Sequence, residues 1–301
     1  MTDIIERIQT LAKKRNAVIL AHNYQRDEVQ DIADFVGDSL ELSRKAADTT
    51  ADVIVFCGVH FMAETAAILN PGKTVILPDA ASGCPMAAMI DASQLRALKA
   101  AHPGAPVVAY VNTTAEVKAE TDICCTSSNA VKIVGGMPDA EIIFVPDKNL
   151  GDYVARQTGK NLIFFEGFCP THMKIMPDDI RALKQAHPNA EVLVHPECRP
   201  EAVALADKVL STTGICVHVS QSPAKEFIIG TEVGIFHRLR KENPEKIFYP
   251  ASPAAVCPNM KKNSLEKILW ALEDMRPVIT VAEPIRLKAK RAIDRMLELS
   301  K

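Results

Sequence analysis

The sequence predicts an α/β protein of three homologous αβα units, with parallel sheets in a pseudo-threefold arrangement around a central cluster site. Three observations carry that expectation. Apolar runs that read as buried strands lead into a cysteine-proline turn three times: TVILPDAASGCP (74–85), NLIFFEGFCP (161–170) and KIFYPASPAAVCP (246–258). The three cysteines, Cys84, Cys169 and Cys257, are spaced almost equally, by 85 and 88 residues (169 − 84 and 257 − 169). Between them, short apolar runs alternate with segments of helical period, the pattern of parallel strands joined by right-handed helical crossovers.

The elements follow in order. Ile4, Ile5, Ile8 and Leu11 make one stripe of an amphipathic helix over 2–14. AVILAHNYQ (17–25) is a strand that runs into a polar turn, and residues 28–47 have helical period interrupted at Gly37-Asp38-Ser39. ADVIVFCG (51–58) is a second strand, VHFMAETAAIL (59–69) a helix, and TVILPD the strand that leads to Cys84. A second pass begins after Pro103-Gly104 with the strand APVVAYVN (105–112). TDICCTSSNAVKIVGG reads as a turn into a helix with a glycine stop, AEIIFVPDKN (140–149) as a strand, and NLIFFEG leads to Cys169. The third pass begins after His187-Pro188 with AEVLVHPE (190–197) and runs through KVLSTTGI and EFIIGTEVG to IFYPASPAAVC. Helices over 264–275 and 284–299 pack back across the outside. The division is 1–103, 104–188 and 189–301.

Counting supports the repeat. Asn23, Asn112 and Glu197 close the first strand of each unit, and sixteen residues on lie Ser39, Ser128 and Thr213. The second strands end near Cys57, Pro146 and Gly230, and the cysteines follow 61, 57 and 60 residues after the first landmark (84 − 23, 169 − 112 and 257 − 197). Such phasing is a threefold internal repeat of about 85 residues. In parallel sheets, ligands bind beyond the carboxyl ends of the strands, where these turns lie.

Composition narrows the function. A net charge of −2 and the lack of a basic run exclude a field for nucleic acid or an anionic membrane. No apolar run approaches the roughly 18 residues of a spanning helix, the N-terminus has no signal-peptide core, and a cytoplasmic location is expected. Eight cysteines without an export signal argue against a disulfide framework, and C-x-x-C, G-x-G-x-x-G and P-loop patterns are missing.

A single free cysteine is usually a small buried hydrophobe. Equivalence across a repeat changes that reading: three thiolates meeting near a pseudo-threefold axis match an iron–sulfur cluster that lacks one protein ligand. An iron without a thiolate is an open Lewis-acid position suited to hydration or dehydration chemistry. Cys57 and Cys216 read as core, Cys124, Cys125 and Cys198 have no assigned role, and Lys148 and Lys174 read as surface lysines. His22, Asn23 and Tyr24, Tyr110 and Asn112, and His195 and Glu197 put seven polar groups at three equivalent strand ends, a proton-transfer set around a polar pocket. Ser39, Ser127, Ser128, Thr212 and Thr213 precede helical segments, where they cap helices or, at converging N-termini, bind an anion.

The motifs AHNYQ (21–25), GDS (37–39), CGVHFMAETA (57–66), GCPMA (83–87), YVNTTAEVKA (110–119), CCTSSNA (124–130), PDKNLG (146–151), GFCPTH (167–172), HPEC (195–198) and CPNM (257–260) span nearly the whole chain and resemble the quinolinate synthase family. The resemblance implies condensation of iminoaspartate with dihydroxyacetone phosphate to quinolinate, with release of phosphate and two waters, in NAD biosynthesis. It implies a 4Fe–4S cluster on Cys84, Cys169 and Cys257, whose differentiated iron binds the substrate's carboxylate and hydroxyl and assists the last dehydration. It also implies an aspartate oxidase or dehydrogenase as the source of iminoaspartate. By motif, His22, Tyr24, Tyr110 and Asn112 line the site, with Tyr24 in proton transfer. Ser39 and Ser127 hold phosphate or carboxylate, His172 and His195 contact substrate, and Glu197 is the acid/base candidate. Thr212 or Thr213 supplies the third hydroxyl; counting favours Ser128 and Thr213, the motif favours Ser127. Some members carry C-x-x-C-x-x-C at the last cysteine; here Pro-Asn-Met follows Cys257, so no disulfide switch is expected. Alternatives are another iron–sulfur hydro-lyase acting on a small carboxylate, a non-catalytic iron–sulfur protein and, more remotely, a zinc hydrolase.

Overall fold

The β-branched runs become the central strands of three sheets. A computed structural model describes residues 2–300. Its first sheet holds β1 (Ala17–His22), β2 (Phe35–Gly37), β3 (Val53–Cys57) and β4 (Thr74–Ile76). The second holds β5 (Val107–Tyr110), β6 (Ile123–Cys125), β7 (Glu141–Val145) and β8 (Asn161–Phe164), and the third β9 (Glu191–Val194), β10 (Lys208–Val209), β11 (Glu226–Gly230) and β12 (Ile247–Pro250). All pairings are parallel. The orders are β2-β1-β3-β4, β6-β5-β7-β8 and β10-β9-β11-β12, one topology used three times. Helices flank each sheet, as the alternating pattern predicts.

Two expectations on local structure are corrected. Residues 28–47 do not form one interrupted helix: helix Asp27–Ile32 is followed by β2 and then by helix Ser39–Asp48. Likewise Ile123–Cys125 is the strand β6 rather than part of a turn. Strands of two or three residues at a sheet edge are too short for period-2 alternation to be visible.

The register of the repeat is fixed by a clamp that recurs in each unit. Asp34, Asp122 and Asp207 each accept a hydrogen bond from a backbone N–H of the unit's first strand, at Ile19, Val107 and Val192, over 2.7, 2.8 and 2.8 Å. The N–H of the same aspartate returns to that residue's carbonyl, at 2.9, 3.2 and 2.9 Å. The spacing is fifteen residues every time (34 − 19, 122 − 107 and 207 − 192). Counted from this clamp, His22, Tyr110 and His195 are equivalent, as are Tyr24, Asn112 and Glu197. The hydroxyl positions are Ser39, Ser127 and Thr212. Asn23 as the first landmark is therefore one residue early, and the count that gave Ser128 and Thr213 inherits that slip.

The last two helices do different jobs. Helix Leu265–Asp274 lies against helix Thr2–Lys14 and buries Leu265, Ile268 and Leu272 with Ile8 over one face of the first sheet. Helix Glu283–Leu299 is not confined to the outside: it packs on helices His60–Leu69 and Ala115–Ala119 and on β6. Its Ala289, Ala292, Ile293 and Met296 are fully buried in the core shared by the first and second sheets. The alanines let the backbones approach closely, so this helix seals a seam between units.

In a sheet of this order the chain leaves the first strand in one direction for the second and crosses back for the third. The carboxyl ends of β1 and β3, and of their counterparts, are thus switch points where a crevice opens.

Candidate active site

The three sets of strand ends enclose a cavity of about 210 Å³ whose wall is drawn from all three units. Cys84, Cys169 and Cys257 all reach it. They are partly exposed, whereas Cys57, Cys124, Cys125, Cys198 and Cys216 are buried. Each of the three opens the same short turn. Proline follows, and the N–H four residues on donates to the cysteine carbonyl: Ala88 to Cys84 at 3.2 Å, Met173 to Cys169 at 3.1 Å and Lys261 to Cys257 at 3.3 Å. Proline suits the first position of such a turn because it has no N–H to satisfy. The N–H groups behind it then point back at sulfur: those of Met86 and Ala87 at Cys84, of His172 at Cys169, and of Asn259 and Met260 at Cys257. Burial pushes the Cys84 thiol up to about 12 and raises the other two, while these N–H groups act in the opposite sense and favour thiolate.

Ser39 and Thr212 sit one position inside their helices, whereas Ser127 precedes the helix Ala130–Gly135. The N-caps are Asp38, which accepts from the N–H groups of Leu40 and Glu41, and Ser211, which accepts from that of Gly214. Ser39 and Thr212 are therefore not the capping residues, and with Ser127 they line the cavity. Asn23 Nδ2 donates to Thr212 Oγ1 at 3.0 Å. Ser128 and Thr213 bond elsewhere, to Thr126 at 2.7 Å and to Glu41 at 2.5 Å. The Asp38 carboxylate, which Ser211 also reaches at 3.1 Å, is occupied by donors and pushed up by burial.

His22 and His195 show the repeat at atomic level. Each Nδ1 accepts the backbone N–H two residues on, from Tyr24 at 3.1 Å and Glu197 at 3.4 Å. Burial drops both rings to about 3. They are thus neutral at pH 7, with the proton on Nε2; that of His195 lies 3.1 Å from Ser127 Oγ. The energetic consequence has a sign. An unfolded histidine takes up a proton below about 6.5, which the buried ring refuses down to about 3. The unfolded state therefore binds more protons in that window, and stability falls with pH. Each ring contributes up to about 1.4 kcal/mol per pH unit once well below 6.5. Urea midpoints measured from pH 7.5 to 5 should decline, and His195→Gln should flatten the decline.

Glu197 lies at the centre. Burial opposes its charge, but His172, His195 and the Tyr110 hydroxyl outweigh burial and hold it down at about 2. His172 Nδ1 is 2.7 Å from Glu197 Oε2 and 3.2 Å from Cys169 Sγ. His172 and His195 stack with ring centroids 4.7 Å apart. Cys169, His172 and Glu197 bring one donor atom each within 4.8 Å of one another, a set able to hold a metal ion. Tyr24 and Tyr110, both buried, are held as phenols far above 10, by burial first and the Glu197 charge second. Asn112 Oδ1 is buried on the cavity wall without a partner.

Other positions were not legible beforehand. Lys174, read as a surface lysine, is exposed but reaches the cavity wall, while Lys148 pairs with Glu166 on the surface at 2.8 Å. Glu232, fully buried on the cavity wall, accepts the Cys257 N–H at 2.9 Å and pairs with Lys261 at 3.2 Å. Thr231 touches Tyr24 and His172. The only signal was the polar pair Thr231-Glu232 directly after an apolar strand.

The model for the family described as quinolinate synthetase A protein matches residues 6–298. The chain belongs to that family. It is 60% identical over 296 residues to Quinolinate synthase of Geobacter metallireducens, covering 98% of this chain and 97% of the relative. It is 59% identical over 297 residues to Quinolinate synthase of Geotalea uraniireducens, covering 99% and 98%. A Geobacter sp. Quinolinate synthase is 60% identical over 292 residues, covering 97% and 96%. As a member of the quinolinate synthetase A family the chain is an enzyme of NAD biosynthesis acting on small molecules. Among the described residues, no helix is long and apolar enough to cross a membrane.

Proposed function

We propose that this enzyme condenses iminoaspartate with dihydroxyacetone phosphate to quinolinate, releasing phosphate and water, at the cavity between the three units. The observation that supports this reading most directly is the set of three equivalent Cys-Pro turns, each with N–H groups aimed at a thiol that reaches the cavity. Donors to sulfur and partial exposure fit the ligand set of an iron–sulfur cluster. Cys84, Cys169 and Cys257 would hold a 4Fe–4S cluster, which supplies a Lewis acid at the iron that lacks a thiolate.

The chain's own groups divide the remaining work. Ser39 and Thr212 stand at the first helical positions of two ten-residue helices whose later first-turn N–H groups are taken by the caps Asp38 and Ser211, so it is the hydroxyls and the positive end of the helix dipole that favour anions there. With Ser127 they form the site for the substrates' phosphate and carboxylate groups. The Nε2–H groups of His22 and His195 are neutral donors that orient substrate oxygens without adding charge. Asn112 Oδ1 needs a donor, which an imine or amine N–H provides. Tyr24, protonated at any working pH, gives a proton, and Glu197, ionised above about 2, accepts one.

The test is direct. Protein purified without oxygen should carry about four irons per chain and should form quinolinate from dihydroxyacetone phosphate and iminoaspartate generated in situ. The Mössbauer signal of one iron should shift when quinolinate is added. Turnover of other small carboxylates, with no requirement for phosphate, would move the reading to a different hydro-lyase.

A further inference from the structure

We propose that Ser300, the residue that ends the last helix, is a positioning residue that holds the loop carrying Ser127 in place for the substrates' anionic groups; the inference rests on the functional reading above. The Ser127 loop is the least supported of the three hydroxyl elements. Ser39 and Thr212 open ten-residue helices, each closed by a capping side chain, Asp38 or Ser211. Thr126 stands at the equivalent place before Ser127 but closes only a local turn, accepting the Ser128 N–H at 3.3 Å. The helix behind it, Ala130–Gly135, has six residues, and Asn129 at its N-cap makes no capping hydrogen bond. A helix that short contributes little stability of its own.

The side chain of Asn129 is turned to another task. Its Oδ1 accepts the Thr126 N–H at 2.6 Å, and its Nδ2 donates to Ser300 Oγ at 2.7 Å. A backbone N–H only donates, which fixes the amide with its oxygen toward Thr126 and its nitrogen toward Ser300. Ser300 Oγ accepts there and gives its own proton to the Met296 carbonyl at 2.5 Å. The Ser300 carbonyl accepts from Arg44 Nη2 at 2.5 Å, and Arg44 belongs to helix Ser39–Asp48. One residue thus joins the loop of Ser127 to the helix of Ser39, across 171 and 256 positions of chain.

The anchor is firm. Ala289, Ala292, Ile293 and Met296 are fully buried in the core shared by the first and second sheets, and Ser300 lies one turn beyond Met296. Those side chains hold the helix with or without Ser300 Oγ, and the capping box of Asp38 and Glu41 holds helix Ser39–Asp48. The loop has no such reserve. Asn129 is 4% exposed, so removing its acceptor leaves a buried N–H unpaired and favours a rearranged loop. Ser127, two residues before it, lines the cavity with Oγ 3.1 Å from His195 Nε2.

The experiment compares Ser300→Ala, which removes Oγ and keeps a helix former, with Ser300→Thr, which keeps the hydroxyl, in iron-loaded protein. Two quantities are read without oxygen: the KM for dihydroxyacetone phosphate and the dissociation constant of quinolinate by calorimetry. The first reports a phosphate on Ser127, the second a carboxylate. Ser300→Ala should raise at least one of them by roughly threefold to tenfold, the scale of one hydrogen bond, with kcat and iron content unchanged. Ser300→Thr should stay close to wild type. Placed on Ser127→Ala, Ser300→Ala should add almost nothing, because the hydroxyl it positions is gone. Should the alanine protein not fold, Ser300→Cys, whose sulfur is a weak acceptor, gives the same comparison. A residue that only supported the fold would lower the urea midpoint and leave both constants where they were. That result, or full additivity with Ser127→Ala, overturns the proposal while the functional reading stands. A wild-type enzyme that makes no quinolinate overturns both.

Discussion

Tyr24→Phe is expected to leave the fold and the iron content intact and to reduce quinolinate formation by about 10²–10⁴-fold, the usual contribution of a placed proton donor. The substitution deletes one oxygen. That oxygen lies 2.5 Å from Thr231 Oγ1 and 3.4 Å from His172 Nε2. The ring, 8% exposed, stays in a core shared with Leu40, Phe61 and Met62, so packing is retained. Loss of a neutral hydrogen bond costs about 1 kcal/mol, too little to unfold the protein. Burial and the Glu197 charge keep the phenol protonated far above 10. The rate loss should therefore be the same at pH 7 and at pH 9. Steady-state rates in anaerobic assays, with iron measured on the same samples, decide the matter; an unchanged kcat would remove Tyr24 from proton transfer.

Cys169→Ser should cost the most: loss of cluster iron and of turnover to background. Serine keeps the turn, because the bonds that shape it, Met173 N–H to the Cys169 carbonyl and His172 to Thr231, do not use sulfur. What is lost is a thiolate with an N–H donor behind it, in a place where an alkoxide is not formed at neutral pH. Cys198→Ser is the control. That thiol is fully buried and donates to the Gly230 carbonyl at 3.4 Å, a bond a hydroxyl can replace. Iron and sulfide analysis of both variants separates a ligand from a core cysteine. Equal iron in the two proteins would mean that Cys169 holds no cluster.

Most of the architecture was legible because it depends on period. Six apolar runs that carry β-branched residues lie in the central strands, and the equal spacing of three Cys-Pro turns reveals the repeat before any contact is known. The edge strands β2, β6 and β10 were not legible, since two or three residues have no period. Nor was the register of the hydroxyls. Ser127 and Ser128 are chemically alike and adjacent, and only the Asp122 clamp on Val107 decides which one faces the cavity.

The α/β class, the three parallel αβα units and the residue types at each strand end were readable from the sequence, whereas the strand order was not. The readable features follow from local period and from the chain's own repetition. The tertiary structure decided which groups meet: Asn23 with Thr212 across 189 positions, Tyr24 with Thr231 across 207, and His172 beside Glu197. Those contacts join different units, and no local pattern encodes them. They are set by how three sheets pack around one cavity, where each buried polar atom must find its partner in another unit or in a ligand.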